Sequence, residues 1–182
     1  MSWRTRISES AGPRGAASNC PPQAAPILDR DHLLIEYGRP RDYRLVFTNG
    51  VFDLLHRGHV ASLETARSLG DRLVVAVNSD ASARRLKGAP RPFQSEIDRA
   101  GILASIRFVD VVTVFDEDTP EELIGLLLPD ILVKGADYAD RQIAGAEAVR
   151  GSGGDVVFVE LAPGLSSSGL VHRIRSGSDA DL

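Results

Sequence analysis

The stretch "TNGVFDLLHRGH", residues 48–59, brings two glycines, an aspartate and two histidines into twelve positions. An apolar run, "YRLVF", precedes it, and a helical-looking segment, "VASLETARSLG", follows it. Gly50 lets the backbone turn tightly and a ligand approach closely. His56 and His59 bracket the start of the helix, where free N–H groups and the positive end of the dipole favour a phosphate. A spacing of three puts both imidazoles on roughly one side of the first turn. Gly58 leaves room for a bulky ligand beside them. Two imidazole donors plus backbone amides suit the oxygens of a phosphate that gains charge in its transition state. No nearby cysteine or third histidine completes a zinc set. The alternative is a helix start with two surface histidines and no chemistry.

These residues need elements to hold them. "YRLVFTN", "DRLVVAVNSD", "VDVVTVF", "PDILVKG" and "GDVVFVEL" read as five strands, the second nearly continuous in apolar residues, as in a sheet covered on both faces. Between them "HVASLETARSLG", stopped by Gly70, "QSEIDRAGILASI", "TPEELIGLLL" with a threonine cap and a proline in its first turn, and "ADRQIAGAEAVRGSG" read as helices. "PILDRDHLLIEYG" reads as one short amphipathic helix ending at Gly38, and "SSSGLVHRIRS" as a closing helix. This alternation predicts an α/β fold with a five-stranded, mainly parallel sheet and helices on both faces. Ligands of such sheets bind beyond the carboxyl ends of the strands. The polar segments "TNG", "NSD", "FDED", "KGADY" and "PGLSSS" fall at those five ends.

The 182 residues are enough for one domain with a real core. The expected division is a disordered tail over 1–26, an N-terminal helix and connection over 27–43, one domain over 44–175 and a flexible end over 176–182. A net charge of −4 gives no general reason to expect nucleic acid. No apolar run reaches the length of a membrane span, and the start lacks the apolar middle of a secretory signal. The one cysteine, Cys20, has no disulfide partner. A cytoplasmic location is expected.

The signature stretch resembles the HxGH motif of the cytidylyltransferase-like nucleotidyltransferases, a Rossmann-like superfamily. "GLSSSGLVHRI" resembles their serine- and threonine-rich turn opening the last helix. The likeness covers about residues 44–175. "DRLVVAVNSDASARRLKGAPRPF", "EIDRAGILASI" and "DILVKGADY" are most similar to the heptose 1-phosphate adenylyltransferase branch. The resemblance implies a single Rossmann-like domain that transfers AMP from ATP to a heptose 1-phosphate, giving ADP-heptose and pyrophosphate. The alternatives are a cytidylyltransferase acting on an alcohol phosphate such as glycerol 3-phosphate, and a non-catalytic nucleotide sensor. Positioning and charge stabilisation dominate such chemistry.

The same resemblance assigns roles. His56 and His59 stabilise charge on the α-phosphate and leaving group. Read from its own segment, "KGAPRP", a loop marked by glycine and proline, Lys87 is either a solvated lysine or a clamp that a mobile loop carries onto phosphate. Thr48, Asn49, Gly50, Val51, Phe52 and Gly58 line the nucleotide, with Lys134, Gly135 and Asp137. Ser166, Ser167 and Ser168 hold the β- and γ-phosphates. Asp53, holding the turn or facing the acceptor, stands with Asn78, Arg91, Arg99 and Tyr138 on the acceptor side, Arg99 either orienting the loop or binding phosphate. Mg²⁺ is expected to bridge the phosphates, held mainly by them and by water rather than by protein ligands. Expected partners are ATP and a sugar 1-phosphate, a separate heptose kinase and phosphatase upstream, and a second copy in a homodimer. Several positions depart from the pattern: Val51 where cysteine is usual, Arg57 where proline is usual, Ala136 where glycine is common, and "LAPG" where cytidylyltransferases carry an arginine.

Overall fold

A computed structural model describes residues 24–136, 142–160 and 166–177. In chain order the elements are β1 (Ile27–Leu28), α1 (Arg30–Tyr37), β2 (Leu45–Gly50), α2 (Arg57–Ser68), β3 (Arg72–Asn78), α3 (Asp80–Lys87), α4 (Glu96–Ala104), β4 (Val111–Phe115), α5 (Glu121–Leu127), β5 (Ile131–Gly135), α6 (Ala146–Gly151), β6 (Asp155–Val159) and α7 (Ser167–Ser176). The strands form one sheet in the order β1-β4-β3-β2-β5-β6, with every pairing parallel.

Alternation along each strand feeds two cores. Val46, Leu73, Val75, Val77, Val112, Ile131 and Val133 face Leu63 and Ala66 of α2 and Ala100, Leu103 and Ala104 of α4. Leu45, Phe47, Val74, Ala76, Val111 and Leu132 face Leu33 of α1, Leu123, Ile124 and Leu127 of α5 and Val149 of α6. Two apolar faces on one strand explain the continuous runs in the sequence. The chain runs outward from β2 through β3 to β4, then returns to place β5 on the other side of β2. The crevice between β2 and β5 is the switch point where such sheets bind ligands.

The sheet has six strands rather than five, because the expected N-terminal helix is divided. Asp29 caps α1, its carboxylate accepting the His32 amide at 2.9 Å, and this frees Ile27 and Leu28 to pair with Val112 and Thr113. The last residues of the expected tail are held too: the Ala25 amide donates to Ala104 O at 2.8 Å, and Pro26 O accepts from Val112 at 3.0 Å. α5 is capped at Pro120 rather than Thr119. α6 starts only at Ala146, because Gly145 has φ 81° and its Cβ position would lie 2.5 Å from Ile124 Cγ2. Residues 1–23 of the expected tail, with Cys20, and residues 178–182 lie outside the described residues.

Thr113 sits on β4 between Val111 and Phe115 of the second core, 1% exposed, and its hydroxyl has no partner among the described residues. Thr113→Val is expected to raise stability by about 1 kcal/mol, the scale of an unpaired buried hydroxyl. A urea denaturation midpoint measures this, and a fall in the midpoint would show that the hydroxyl is satisfied.

Candidate active site

Between β2 and α2 the backbone enters the left-handed region twice, at Phe52 (φ 52°) and Leu54 (φ 55°). The tight conformation therefore falls on these two side-chain-bearing residues. Gly50 serves close packing instead: a Cβ there would meet the Phe52 ring at 3.3 Å. Such strain persists only where the surroundings fix it. Here Asp53 does so, at 4% exposure. Its Oδ1 accepts the amides of Phe93 and Gln94 at 3.0 and 3.1 Å, and its Oδ2 accepts Arg91 Nη1 at 2.5 Å. Burial alone would push this carboxyl up, but the Arg91 guanidinium and the two amides hold it below its ordinary value. The Leu54 amide donates to Gln94 Oε1 at 3.2 Å. Arg99 Nη1 donates to Val51 O at 2.6 Å.

The turn delivers the two histidines to the first turn of α2. Their rings lie 4.0 Å apart at 36°. Phe52 flanks the His59 ring at 5.7 Å. The His56 amide donates to His59 Nδ1 at 3.3 Å. That nitrogen is therefore an acceptor, and the neutral ring of His59 carries its proton on Nε2. Burial pushes both imidazoles down, His59 to about 4, with His56 beside it adding to the effect. Both are neutral donors at neutral pH. His56 Nδ1 is buried with no partner among the described residues. A buried polar nitrogen left open at a helix N-terminus fits an oxygen ligand.

Across the switch point, Lys134 of β5 donates to Asn49 Oδ1 of β2. Burial pushes the Lys134 ammonium down to about 8. An ammonium has three donors, so two remain for a ligand. Nearby anions would draw its pKa back up. Thr48 Oγ1 donates to Val133 O at 3.2 Å, tying the strands together. Gly135 ends β5, and Gly58 is buried in the first turn of α2. The serine turn reaches the same place: Ser167 Oγ donates to Asp53 O at 2.7 Å, while Ser166 caps α7 by accepting the Gly169 amide at 3.0 Å. Ser168 is exposed.

Other expected site residues are engaged elsewhere. Asp53 is saturated by the 91–94 segment, so it holds the turn rather than facing the acceptor. Asn78 is 3% exposed, and its amide donates to Ser82 Oγ at 3.0 Å, turned into the start of α3. Arg99 is fully buried; besides Val51 O it donates to Gln94 O at 3.0 Å, Asn78 O at 2.8 Å and Asp80 Oδ1 at 2.6 Å. It joins four segments and is not presented to a phosphate. Arg91 stacks over Phe93 at 4.6 Å and leaves only part of its guanidinium open. Lys87 is exposed, with no polar partner among the described residues, but it ends a helix rather than riding a loop. Sequence reasoning missed α3, although the Ser79 cap, Asp80 in the first turn and Gly88 after Lys87 signal it. Asp137 and Tyr138 lie outside the described residues. Among the described residues no three His, Cys, Asp or Glu side chains converge as a metal cluster.

A family model described as cytidylyltransferase-like matches residues 47–168. The Bifunctional protein HldE of Azorhizobium caulinodans is 49% identical over 163 residues, covering 90% of this chain and 34% of that protein. Its namesake in Acidiphilium cryptum is 54% identical over 141 residues, covering 78% of this chain and 29% of that protein. The chain thus spans about a third of the length of these curated relatives. The lipopolysaccharide core biosynthesis protein from Thermoplasma volcanium superposes with a TM-score of 0.53 at 29% identity, over 66% of this chain and 97% of that one. A pantothenate synthetase from Thermus thermophilus, with a TM-score of 0.57 at 18% identity over 80% of this chain and 67% of its own, shares the fold alone. With the signature turn, Ser166 to Ser168 and strands β3 to β6 of the parallel sheet inside the matched span, the chain belongs to the cytidylyltransferase-like family.

Proposed function

We propose that this chain transfers AMP from ATP to a heptose 1-phosphate. A phosphate oxygen of the acceptor attacks the α-phosphorus, the bond to the bridging oxygen breaks, and pyrophosphate leaves with ADP-heptose as the other product. The acceptor oxygen is already anionic, so the step needs no general base. The observation that carries this reading is the close-set, neutral imidazole pair at the N-terminus of α2, with the buried His56 Nδ1 lacking a partner among the described residues. Its donors fit non-bridging oxygens of the α-phosphate, where preorganised hydrogen bonds have the largest effect on rate.

Around that point, the β2 strand end and the Asn49–Lys134 pair serve the nucleotide. Ser166, Ser168 and the amides of α7 face the outer phosphates. Lys87 and the open edge of Arg91 are the candidates for the acceptor phosphate. Mg²⁺ arrives on the triphosphate as part of the substrate. The heptose-like segments and the relatives at about half identity favour a heptose acceptor. A sugar kinase and a phosphatase upstream supply that acceptor in this reading, and pairing of two copies accompanies it.

Pyrophosphate release with Mg²⁺, each nucleoside triphosphate and a panel of sugar 1-phosphates and alcohol phosphates tests the proposal. Release with ATP and a heptose 1-phosphate above all other pairs is expected. Equal or faster release with CTP and an alcohol phosphate would move the chain to the cytidylyltransferase branch. Nucleotide binding without release from any pair would leave a sensor.

A further inference from the structure

We propose that Ser167 is a positioning residue, which fixes the serine turn to the signature turn and so sets the distance between the outer-phosphate end of the site and the imidazoles. The inference rests on the nucleotidyl-transfer reading above. Its basis is the 2.7 Å bond from Ser167 Oγ to the Asp53 carbonyl, joining residues 114 apart in sequence. A hydroxyl has one proton. Directed at Asp53, that proton is not available to a phosphate oxygen, which can only accept. Ser166 differs: its oxygen accepts from Gly169, and its proton has no acceptor among the described residues.

Both ends of this bond carry weight. α7 contains no buried residue, and Ile174 on it is 69% exposed. Packing therefore holds the helix weakly, and one polar tie has a large share in placing it. Asp53, by contrast, is held by Arg91 and the amides of Phe93 and Gln94. Its carbonyl is a fixed point three residues before His56. The bond transmits the placement of the histidine turn to the amides that open α7.

Hydrogen exchange of the α7 amides in full-length protein without nucleotide, beside steady-state kinetics, tests this for Ser167→Ala and Ser167→Thr. Ser167→Ala is expected to speed exchange in α7 about tenfold, the scale of one lost hydrogen bond. It is expected to raise KM for ATP by a similar factor, with a smaller change in kcat. Ser167→Thr, which keeps the hydroxyl, is expected to restore both. Unchanged exchange with a raised KM would make Ser167 a direct phosphate ligand and overturn the proposal. Faster exchange with unchanged KM would overturn it too, since the tie would then have no bearing on substrate. Should no nucleotide support turnover, nucleotidyl transfer itself fails. Nucleotide-free exchange and the Kd for ATP then decide the positioning role by the same criteria.

Discussion

His56→Ala and His59→Ala are each expected to lower turnover by at least about a hundredfold, the scale for removing one preorganised donor from a developing charge. The effect should fall on kcat more than on KM, because the donors act on an α-phosphate whose charge rises only as the bond to pyrophosphate breaks. Both variants should fold, since neither ring belongs to the two apolar clusters. Near-normal kcat in a folded variant would remove that histidine from the mechanism. The pair also carries a pH signature. Burial first, then the neighbouring His56, lowers His59 from an ordinary 6.5 to about 4. As pH falls through 6.5 the unfolded chain takes up a proton that the folded chain does not accept until about 4. The contribution to stability is therefore complete above 6.5, declines between the two values and levels below them. Urea midpoints measured from pH 7.5 to 4 should show this decline, and His59→Asn should flatten it.

Arg99→Ala should have the largest effect on folding. The side chain is fully buried and donates to Val51 O, Asn78 O, Gln94 O and Asp80 Oδ1. Truncation leaves three carbonyls without their donor and a carboxylate without its counter-charge. A loss of about 3 kcal/mol is expected, given that each unsatisfied buried group costs about 1–3 kcal/mol and water enters part of the space. Arg99→Lys should recover only part of this, because a single ammonium cannot reach four acceptors set around a planar fork. Chemical denaturation reads the stability. Kinetics of Arg99→Lys reads the site: the turn at Val51 should loosen and kcat should fall even where the protein is folded. Wild-type stability in Arg99→Ala would mean that the buried acceptors find other donors.

The local physics of the signature was legible in the chain. Apolar runs of strand length, a helix-length segment after His59, and glycine and serine at element ends fix where strands and helices lie, because these preferences are local. They put the histidines at a helix start and the polar segments at strand ends; the structure has the histidines there, and Gly50, Asn78, Phe115 and Gly135 end β2, β3, β4 and β5. The division of 27–37 into β1 and α1 was less visible: a two-residue strand at Ile27–Leu28 has no periodicity of its own and exists because β4 offers an edge. α3 was hidden for the opposite reason. "DASARRLK" is mostly polar with few apolar positions, yet Ser82 and Ala83 are buried against the body. Only the tertiary structure decided the roles of Asp53, Asn78 and Arg99. A charged or amide side chain beside a phosphate motif has the same spacing whether it faces ligand or protein. Which it faces depends on burial and on whether carbonyls and amides from distant segments meet it, as Val51, Asn78 and Gln94 meet Arg99. The tie from Ser167 to Asp53 is of the same kind: it spans 114 residues, and no local preference encodes a contact over that separation.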